Sequence, residues 1–515
     1  MGISSFFPWF HKTFSKYVTH VRPGNTYSGI DNVMVDMNGI FHPVAQKVFR
    51  YGKYAKPLLS DNVKPGTMDE FFEEVGKEID KIVALVPPRR RLILCVDGVA
   101  PVAKQIQQRQ RRYKAVPEAT FDSNSITPGT ELMTRLCAYV EEYIKKYTIE
   151  VIFSSSADPG EGEMKLIAFA KYYADVGETS AIYGLDADII LLSLTVLDSR
   201  KKMFVVRERE HDHVVINVDK VRSNLVEKLK WSSPNYVCVD DRLIIDFVFM
   251  CFLVGNDFIK RAPGIDIITG SIDVIIEIYR STCRLYGHIT EGSAFRREAL
   301  AQFFRRVGDI EDMLFQTKIK NIGRYIPDPL FNKYITNETG FDVAGYKSEY
   351  YALKFGGASV TKVAEEYLEG LEWVLGYYTG GVPSWKWFYP YNYSPFISDV
   401  AEVTYKKKTY GRTVPYDQLY QLLLVVPPRS MDLLPEPLNT LYLDFPELFP
   451  TTVEIDTAGK RHEYEGEVLL PAINSPELLA EYKLRLADVS PDRLASNARA
   501  RAYSLLGTQK EYIQL

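Results

Sequence analysis

Seven acidic side chains stand where apolar runs of this 515-residue chain come to an end. They are Asp36 after Ile30 to Val35, Asp97 after Arg91 to Val96, Glu161 and Glu163 in DPGEGE, Asp186 and Asp188 in YGLDAD, and Asp257 in VGND. Taken singly, each reads as an N-cap or turn residue. Together they predict one acidic rim, because the carboxyl ends of neighbouring parallel strands are where α/β sheets bind ligands. Crowded carboxylates raise one another's pKa values unless cations offset them. Oxygen donors without paired histidines or cysteines favour Mg²⁺ or Mn²⁺ over zinc. Two such ions about 3.5 to 4 Å apart activate water and steady the leaving oxygen of a phosphodiester. The i, i+2 spacing of the two acid pairs lets both members face one side of an extended segment.

Beyond Asp97-Gly98 and Pro101 the pattern turns helical. Lys104, Gln108, Arg111 and Arg112 fall at i, i+4, i+7 and i+8, so one amide and three cations share a helix face. No acidic residue lies between Asp97 and Glu118. An ordinary solvated basic helix gives the same pattern. Beside a metal-holding carboxylate, the face fits an enzyme acting on a terminal phosphate.

The elements that must position these groups alternate. Ile30 to Val35 reads as the first strand, and Thr67 with Glu70 forms a capping box that opens a helix closed by Pro87-Pro88. Thr127-Pro128 starts a helix with Leu132, Leu136, Val140 and Ile144 inward. Strands follow at Ile149 to Phe153, Ser180 to Gly184, Met203 to Val206 and Val214 to Val218, with a helix after Glu161. The fold class expected is α/β, a largely parallel sheet flanked by helices. Asp246 to Phe252 reads as a buried helix ending at Gly255. From about Leu285 the pattern is helical with long connections, then aromatic and proline-rich after Val374, and this second half is expected to pack on the first.

Composition narrows the classes. With 46% hydrophobic and 25% charged residues the chain is globular rather than disordered, and a net charge of −4 excludes a general polyanion-coating protein, so nucleic-acid affinity must be local. The five cysteines show no CxxC spacing, which predicts a reducing compartment and no cysteine zinc site. The start MGISSFFPWF lacks the basic segment and long apolar core of a secretory signal, and Phe6 stands where a myristoylation signal needs Ser or Thr. The most apolar run, Leu243 to Gly255, is too short to span a bilayer and contains Asp246. The expectation is an intracellular protein without secretory or transmembrane segments, cytoplasmic rather than nuclear, and a monomer.

These residues carry a family resemblance. The segments VDMNGIFH, VDGVAPVAKQIQQRQRR, FDSNSITPGTELM, DPGEGEMK, YGLDADIILLSL and DFVFMCFLVGNDF, with the Met1-Gly2 start and Phe6-Phe7, resemble the nuclease half of the Xrn 5′→3′ exoribonucleases. YLEGLEWVLGYYTGGVPSWKWFYPYNYSPFISD, PYDQLYQLLLVVPPRSMDLLP and FPTTVEIDTAGKRHEYEGEVLLPAI resemble the family's second conserved region. The resemblance implies a PIN/FEN-like nuclease core over 1–285 and a mostly helical, then aromatic-rich, second region over 286–515. It implies processive hydrolysis of single-stranded RNA from a 5′-monophosphate end to nucleoside 5′-monophosphates. Asp36, Asp97, Glu161, Glu163, Asp186, Asp188 and Asp257 would be catalytic ligands of two Mg²⁺ or Mn²⁺ ions. Lys104, Gln108, Arg111 and Arg112 would hold the 5′-phosphate. His42 would stack on the first base, opposite Trp385 or Trp387.

Read from the residues alone, His42 is a helix-start histidine, and the aromatic stretch from Trp373 to Phe396 is core packing. Lys406-Lys407-Lys408 reads as a solvated loop. Family members usually read Leu-Pro-His after the acid of VGND, where this chain has Ile259-Lys260-Arg261, which puts that loop in doubt but removes no acid. The sequence stops at Leu515, so the extra carboxy-terminal domains of large members, and their partners, are not expected. A flap-endonuclease-like DNA nuclease is the enzyme alternative, on Asp257 and the APGID segment after it; the tryptophan-rich second half argues against it. An RNA-binding scaffold with a dead site ranks last, because all seven acids are present.

Overall fold

Ile30–Asp36 is the strand on which the sheet is laid out, and every residue in it before Asp36 is buried. A run with no exposed alternate is what a strand covered on both faces requires. The computed structural model describes residues 6–22, 24–55, 64–115, 120–209, 212–337, 340–506, 509–513 and 515; the Met1-Gly2 start lies outside them. In chain order the first seven strands are β1 (Val18–Val21), β2 (Ile30–Asp36), β3 (Pro88–Cys95), β4 (Glu150–Ser154), β5 (Thr179–Tyr183), β6 (Lys202–Arg209) and β7 (Asp212–Asn217). β8 (Thr290–Glu291) pairs with β9 (Ala294–Phe295), β10 (Glu454–Asp456) pairs with β11 (Glu467–Leu469), and β12 (Tyr503–Leu506) pairs with β13 (Gln509–Tyr512).

The main sheet runs β1-β7-β6-β5-β2-β3-β4-β12-β13. Its five central strands, β6 to β4, are parallel. Both edges are antiparallel: β7 turns back on β6 with β1 outside it, and β12 and β13 close the β4 side. The strand at Val214 lies antiparallel beside β6, which a largely parallel sheet allows. Two sequence expectations are corrected here. β1 precedes the strand expected to be first. The helix expected from Thr127-Pro128 begins at Glu131, because Gly129 takes a positive φ of 91° and the Thr130 hydroxyl caps the Met133 amide at 3.2 Å.

Alternation along the strands divides the interior in two. Met34, Ile93, Ile152 and Ile182 face one core, packed by α1 (Phe6–Phe14) and the later helices. Val33, Leu92, Val151 and Ala181 face the other, under α2 (Asn38–Phe49), α3 (Met68–Leu85) and α5 (Glu131–Tyr143). Between β3 and α5 lies α4 (Val102–Lys114), which carries the basic face. The capping box at Thr67 and Glu70 is present. α6 (Gly162–Ala168), α7 (Asp188–Leu194), α8 (Val218–Leu229) and α9 (Asp240–Phe252) follow, and a later helix, Val360–Gly380, joins the first core through Tyr367, Leu371, Trp373 and Val374. At about 1.5 to 3 kcal/mol for each large apolar side chain fully buried, this shared core binds the second half to the first.

Candidate functional site

The five parallel strands end on one edge, from which the loops bearing Asp36, Asp97, Glu161, Glu163, Asp186 and Asp188 leave, while Asp257 comes from the loop after α9. Asp36 is the last residue of β2, level with Cys95 of β3. Asp97 follows β3, and its amide donates to Asn38 Oδ1 at 3.0 Å, while the Asn38 amide donates to Asp36 Oδ1 at 3.2 Å. One asparagine therefore spaces the first two acids. Gly98 and Gly162 let the next loop close in. A Cβ at Gly98 would fall 1.9 Å from the Asp158 carbonyl oxygen, and one at Gly162 would sit 3.0 Å from the Cys95 carbonyl and 3.1 Å from Asp36 Oδ1. With hydrogen there instead, the Gly162 amide donates to Asp97 Oδ1 at 2.6 Å. Buried Lys165 locks the same loops by donating to the carbonyls of Val96 (2.9 Å) and Ser155 (3.2 Å).

Glu163, Asp186 and Asp188 bring carboxylate oxygens within 4.8 Å of one another. Among the described residues Asp188 Oδ1 is buried with no hydrogen-bond partner. Three converging oxygens, one of them an orphaned buried acceptor, suit a hard divalent cation. On the other side of this group stands Lys104. Its ammonium touches Glu161, lies 2.9 Å from Asp257 Oδ2 and reaches Glu163 Oε1 at 3.8 Å. Glu161 also accepts a hydrogen bond from the Tyr377 hydroxyl, on the helix Val360–Gly380.

Electrostatics confirm the crowding. Burial and then the Asp97 and Asp186 charges push Asp36 well above the usual carboxylate range. Burial and Asp188 do the same to Glu163, and burial with Asp186 and Asp257 raises Asp188 to about 7. Glu161 is also raised, because burial outweighs its contact with Lys104. Burial acts the same way on Asp257, but the adjacent Lys104 ammonium carries it down to about 2. A cation bound among these acids would offset their mutual repulsion.

The basic face lies against this rim. Lys104 is spent on the acids, whereas Gln108 Oε1 and Arg112 Nη1 are buried without hydrogen-bond partners among the described residues. Burial and the neighbouring Arg111 lower Arg112 to about 9. Arg111 is exposed into a groove of about 1110 Å³, which Asp186, Asp257, Lys114, Lys260 and Lys460 also line. His42, on α2, is lowered to about 3 by burial and then by Arg111 and Arg112. Neither Trp385 nor Trp387 makes a ring contact with it among the described residues. The Trp385 amide donates to the Thr413 hydroxyl (2.8 Å) and its carbonyl accepts from the Val102 amide at the start of α4 (3.0 Å). The Trp387 ring stacks on Trp373 at 5.0 Å, and Trp373 stacks on Tyr377 at 5.1 Å.

Sequence reasoning did not single out Asn38, Lys165 or Tyr377. Asn38 and Lys165 lie inside the quoted motifs, two residues from Asp36 and from Glu163. Tyr377 carried only one signal, its i, i+4 spacing from Trp373 on a buried helix face. The loop that departs from the family pattern is closed rather than disrupted. Asn256 Oδ1 accepts from the Phe258 (2.9 Å) and Ile259 (3.0 Å) amides, Ile259 is fully buried, and Lys260 and Arg261 find partners in Glu467 (2.7 Å) and Asp266 (3.0 Å).

Comparison with known proteins places this geometry. Residues 1–120 and 116–209 match the family described as XRN 5'-3' exonuclease N-terminus, and residues 238–342 and 331–513 match the Xrn1 helical domain. Relatives include 5'-3' exoribonuclease 2 of Gallus gallus, 25% identical over 97% of this chain and 71% of that protein. The Arabidopsis thaliana 5'-3' exoribonuclease 2 is 25% identical, with 93% of this chain and 67% of that one covered. For the Homo sapiens 5'-3' exoribonuclease 1 the figures are 26%, 93% and 34%. The solved catalytic core of Rad2 in complex with DNA substrate superposes with a TM-score of 0.34 at 16% identity, covering 67% of this chain and 85% of that one. On the strength of matches that span both halves, this chain belongs to the Xrn family.

Proposed function

We propose that this chain is a metal-dependent 5′→3′ exoribonuclease that hydrolyses single-stranded RNA from a 5′-monophosphate end and releases nucleoside 5′-monophosphates. One observation carries the reading. Lys104, the first residue of the basic face, is within ion-pair distance of Glu161 and Asp257, so a phosphate held on that face adjoins the acids. Glu163, Asp186 and Asp188 are the ligand set for one divalent ion, and Asp36, Asp97, Glu161 and Asp257 complete the set for two. Mg²⁺ or Mn²⁺ bound there supplies positive charge to the developing charge on the phosphodiester and acidifies water. Tyr377 orients Glu161 by its hydrogen bond. Asn38 and the Gly162 amide fix Asp36 and Asp97.

Gln108, Arg111 and Arg112 receive the terminal phosphate, joined by Lys104 when the acids bind metal. Among the described residues Arg112 Nη1 is a buried donor without a partner, which supports an acceptor ligand there, and Gln108 would donate to it through its Nε2 amide. A monophosphate presents up to two charges to these donors; a hydroxyl end presents none, and a cap or triphosphate overfills the pocket. His42 stays neutral at physiological pH, as a base-stacking ring should. Of the two tryptophans, Trp387 is already stacked on Trp373, which favours Trp385 as its counterpart. In this reading 1–285 is the nuclease core and 286–515 its second wall, and the chain works as a cytoplasmic monomer. Among the described residues no helix is long and apolar enough to cross a membrane.

The test is incubation with labelled single-stranded RNA and DNA bearing monophosphate, triphosphate or hydroxyl ends, with and without chelator. Mononucleotides released from monophosphate RNA only when metal is present are expected. Equal use of DNA, or activity in chelator, overturns the assignment.

A further inference from the structure

The groove below the acids runs under a hairpin that takes no part in the chemistry above. Its strands β10 and β11 pair through Glu454↔Leu469, Ile455↔Val468 and Asp456↔Glu467. In the connection between them His462 and Tyr464 stack face to face, with ring centroids 4.9 Å apart and planes 11° from parallel. Tyr464 is 67% exposed, yet it lines the same groove as Asp186, Asp257 and Arg111.

The pair is not on a loose arm. Lys114 of α4 donates to the Gly466 carbonyl at 2.9 Å, and Lys260 and Lys460 both hold Glu467, at 2.7 and 2.8 Å. Lys354 pairs with Asp456, the Gly459 amide donates to the Ile326 carbonyl at 3.1 Å, and the Ile326 amide donates to the Lys460 carbonyl at 2.7 Å. The hairpin is thus tied to the basic helix and to the loop bearing Asp257. A stacked aromatic pair with one face open, on a fixed support in a cation-lined groove, is the arrangement that takes flat unpaired bases. Charge sets the orientation. Arg111, Lys114 and Lys460 line the groove, whereas Glu463 and Glu465 flank Tyr464 and repel phosphate. A strand passing here turns its backbone to the cations and a base to the rings.

We infer that His462 and Tyr464 form a stacking platform for an unpaired base of the RNA downstream of the end being cleaved. The inference rests on the nuclease reading. It is tested by fluorescence anisotropy of the full chain, in chelator, with labelled oligouridylates of increasing length from a dinucleotide upward. Wild type is expected to gain affinity in a step once the strand reaches the hairpin. Tyr464→Ala is expected to lose that step, weakening the longer strands by roughly 5- to 150-fold, while Tyr464→Phe and Tyr464→Trp keep it. A 4-thiouridine in the long strand is expected to cross-link to the connection between β10 and β11 of the wild type. The platform is wrong if Tyr464→Ala binds every length as wild type does, or if Tyr464→Phe fails as fully as Tyr464→Ala. If wild type degrades monophosphate RNA and the step survives in Tyr464→Ala, the platform falls alone; if wild type neither binds nor degrades RNA, both readings fall.

Discussion

Lys104→Met removes an ammonium that touches three carboxylates, and the structure sets the size of the loss. Asp257 is carried from an ordinary 3.8 to about 2 beside Lys104. At about 1.36 kcal/mol per pH unit, the net shift corresponds to about 2 kcal/mol, with burial opposing it and Lys104 the largest of the charges that produce it. The folded value lies below the unfolded one, so this stability is fully present above pH 3.8 and is lost as pH falls through about 2. Glu161 loses the same partner, and breaking a buried pair by deleting one member costs about 3 to 5 kcal/mol. In chelator at neutral pH the variant is therefore expected to unfold at lower urea, by about 3 to 5 kcal/mol in total. A divalent ion that binds the same carboxylates in the folded state stabilises by mass action. Added Mg²⁺ should then recover most of the loss, and should raise the wild type as well. Urea unfolding followed by tryptophan fluorescence, with EDTA or Mg²⁺, measures both. An equal deficit in the two conditions, with wild type indifferent to Mg²⁺, refutes the idea that lysine and metal serve one set of acids.

Three other outcomes are expected. Glu163→Gln should lower Mg²⁺-dependent hydrolysis at least about 100-fold while RNA affinity in chelator survives, because the basic face is untouched; unimpaired turnover would remove Glu163 from the metal site. Arg112→Ala should weaken use of monophosphate RNA by about 1.5 to 3 kcal/mol, roughly 10- to 150-fold in kcat/KM, and affect hydroxyl ends much less; an equal effect on both ends would make the helix a general backbone contact. His42→Ala should slow degradation of structured RNA by about 1 to 3 kcal/mol per lost stack, and because its imidazole is neutral above about pH 3, the wild-type stacking contribution should be flat from pH 5 to 8. A histidine-dependent break in that range would contradict a neutral ring.

What the sequence made legible follows from which interactions are local. The strand ends could be read because a run such as Leu92 to Val96 is apolar through its length and then stops on Asp97. The acids could be collected because parallel strands share an edge. The basic face could be read from helical spacing alone. Orientation and long-range pairing could not. Nothing local says that β12, near the end of the chain, pairs with β4, since that register joins residues such as Tyr503 and Phe153. Nor does helical spacing say that Lys104 turns to Glu161 and Asp257 while Arg111 turns to the groove. That split depends on the second half, which walls the acids on one side.

The second half acts on the site through a few contacts that also hold the loop after Asp257. Trp387, Trp373 and Tyr377 form a stacked ladder whose last hydroxyl reaches Glu161. Gln421 accepts the Ala100 amide at 2.7 Å and the Trp385 carbonyl accepts the Val102 amide, so the first turn of α4 is held from outside the sheet. Buried Arg109, on the opposite side of α4 from Arg111, donates to the carbonyls of Pro471 (2.7 Å) and Leu448. The basic helix is therefore clamped at both ends before any substrate binds, and its donors need no ordering when a phosphate arrives. Lys260, which replaces the family's usual residue, joins the same clamp by pairing with Glu467 and contacting Gln110 Oε1 at 3.3 Å. Its substitution moves a charge on the outer side of the loop, whereas Asn256 and buried Ile259 fix the backbone that carries Asp257. The acid's position is set by that backbone, held by Asn256 and Ile259, and the half-buried Lys260 ties the same loop to Glu467.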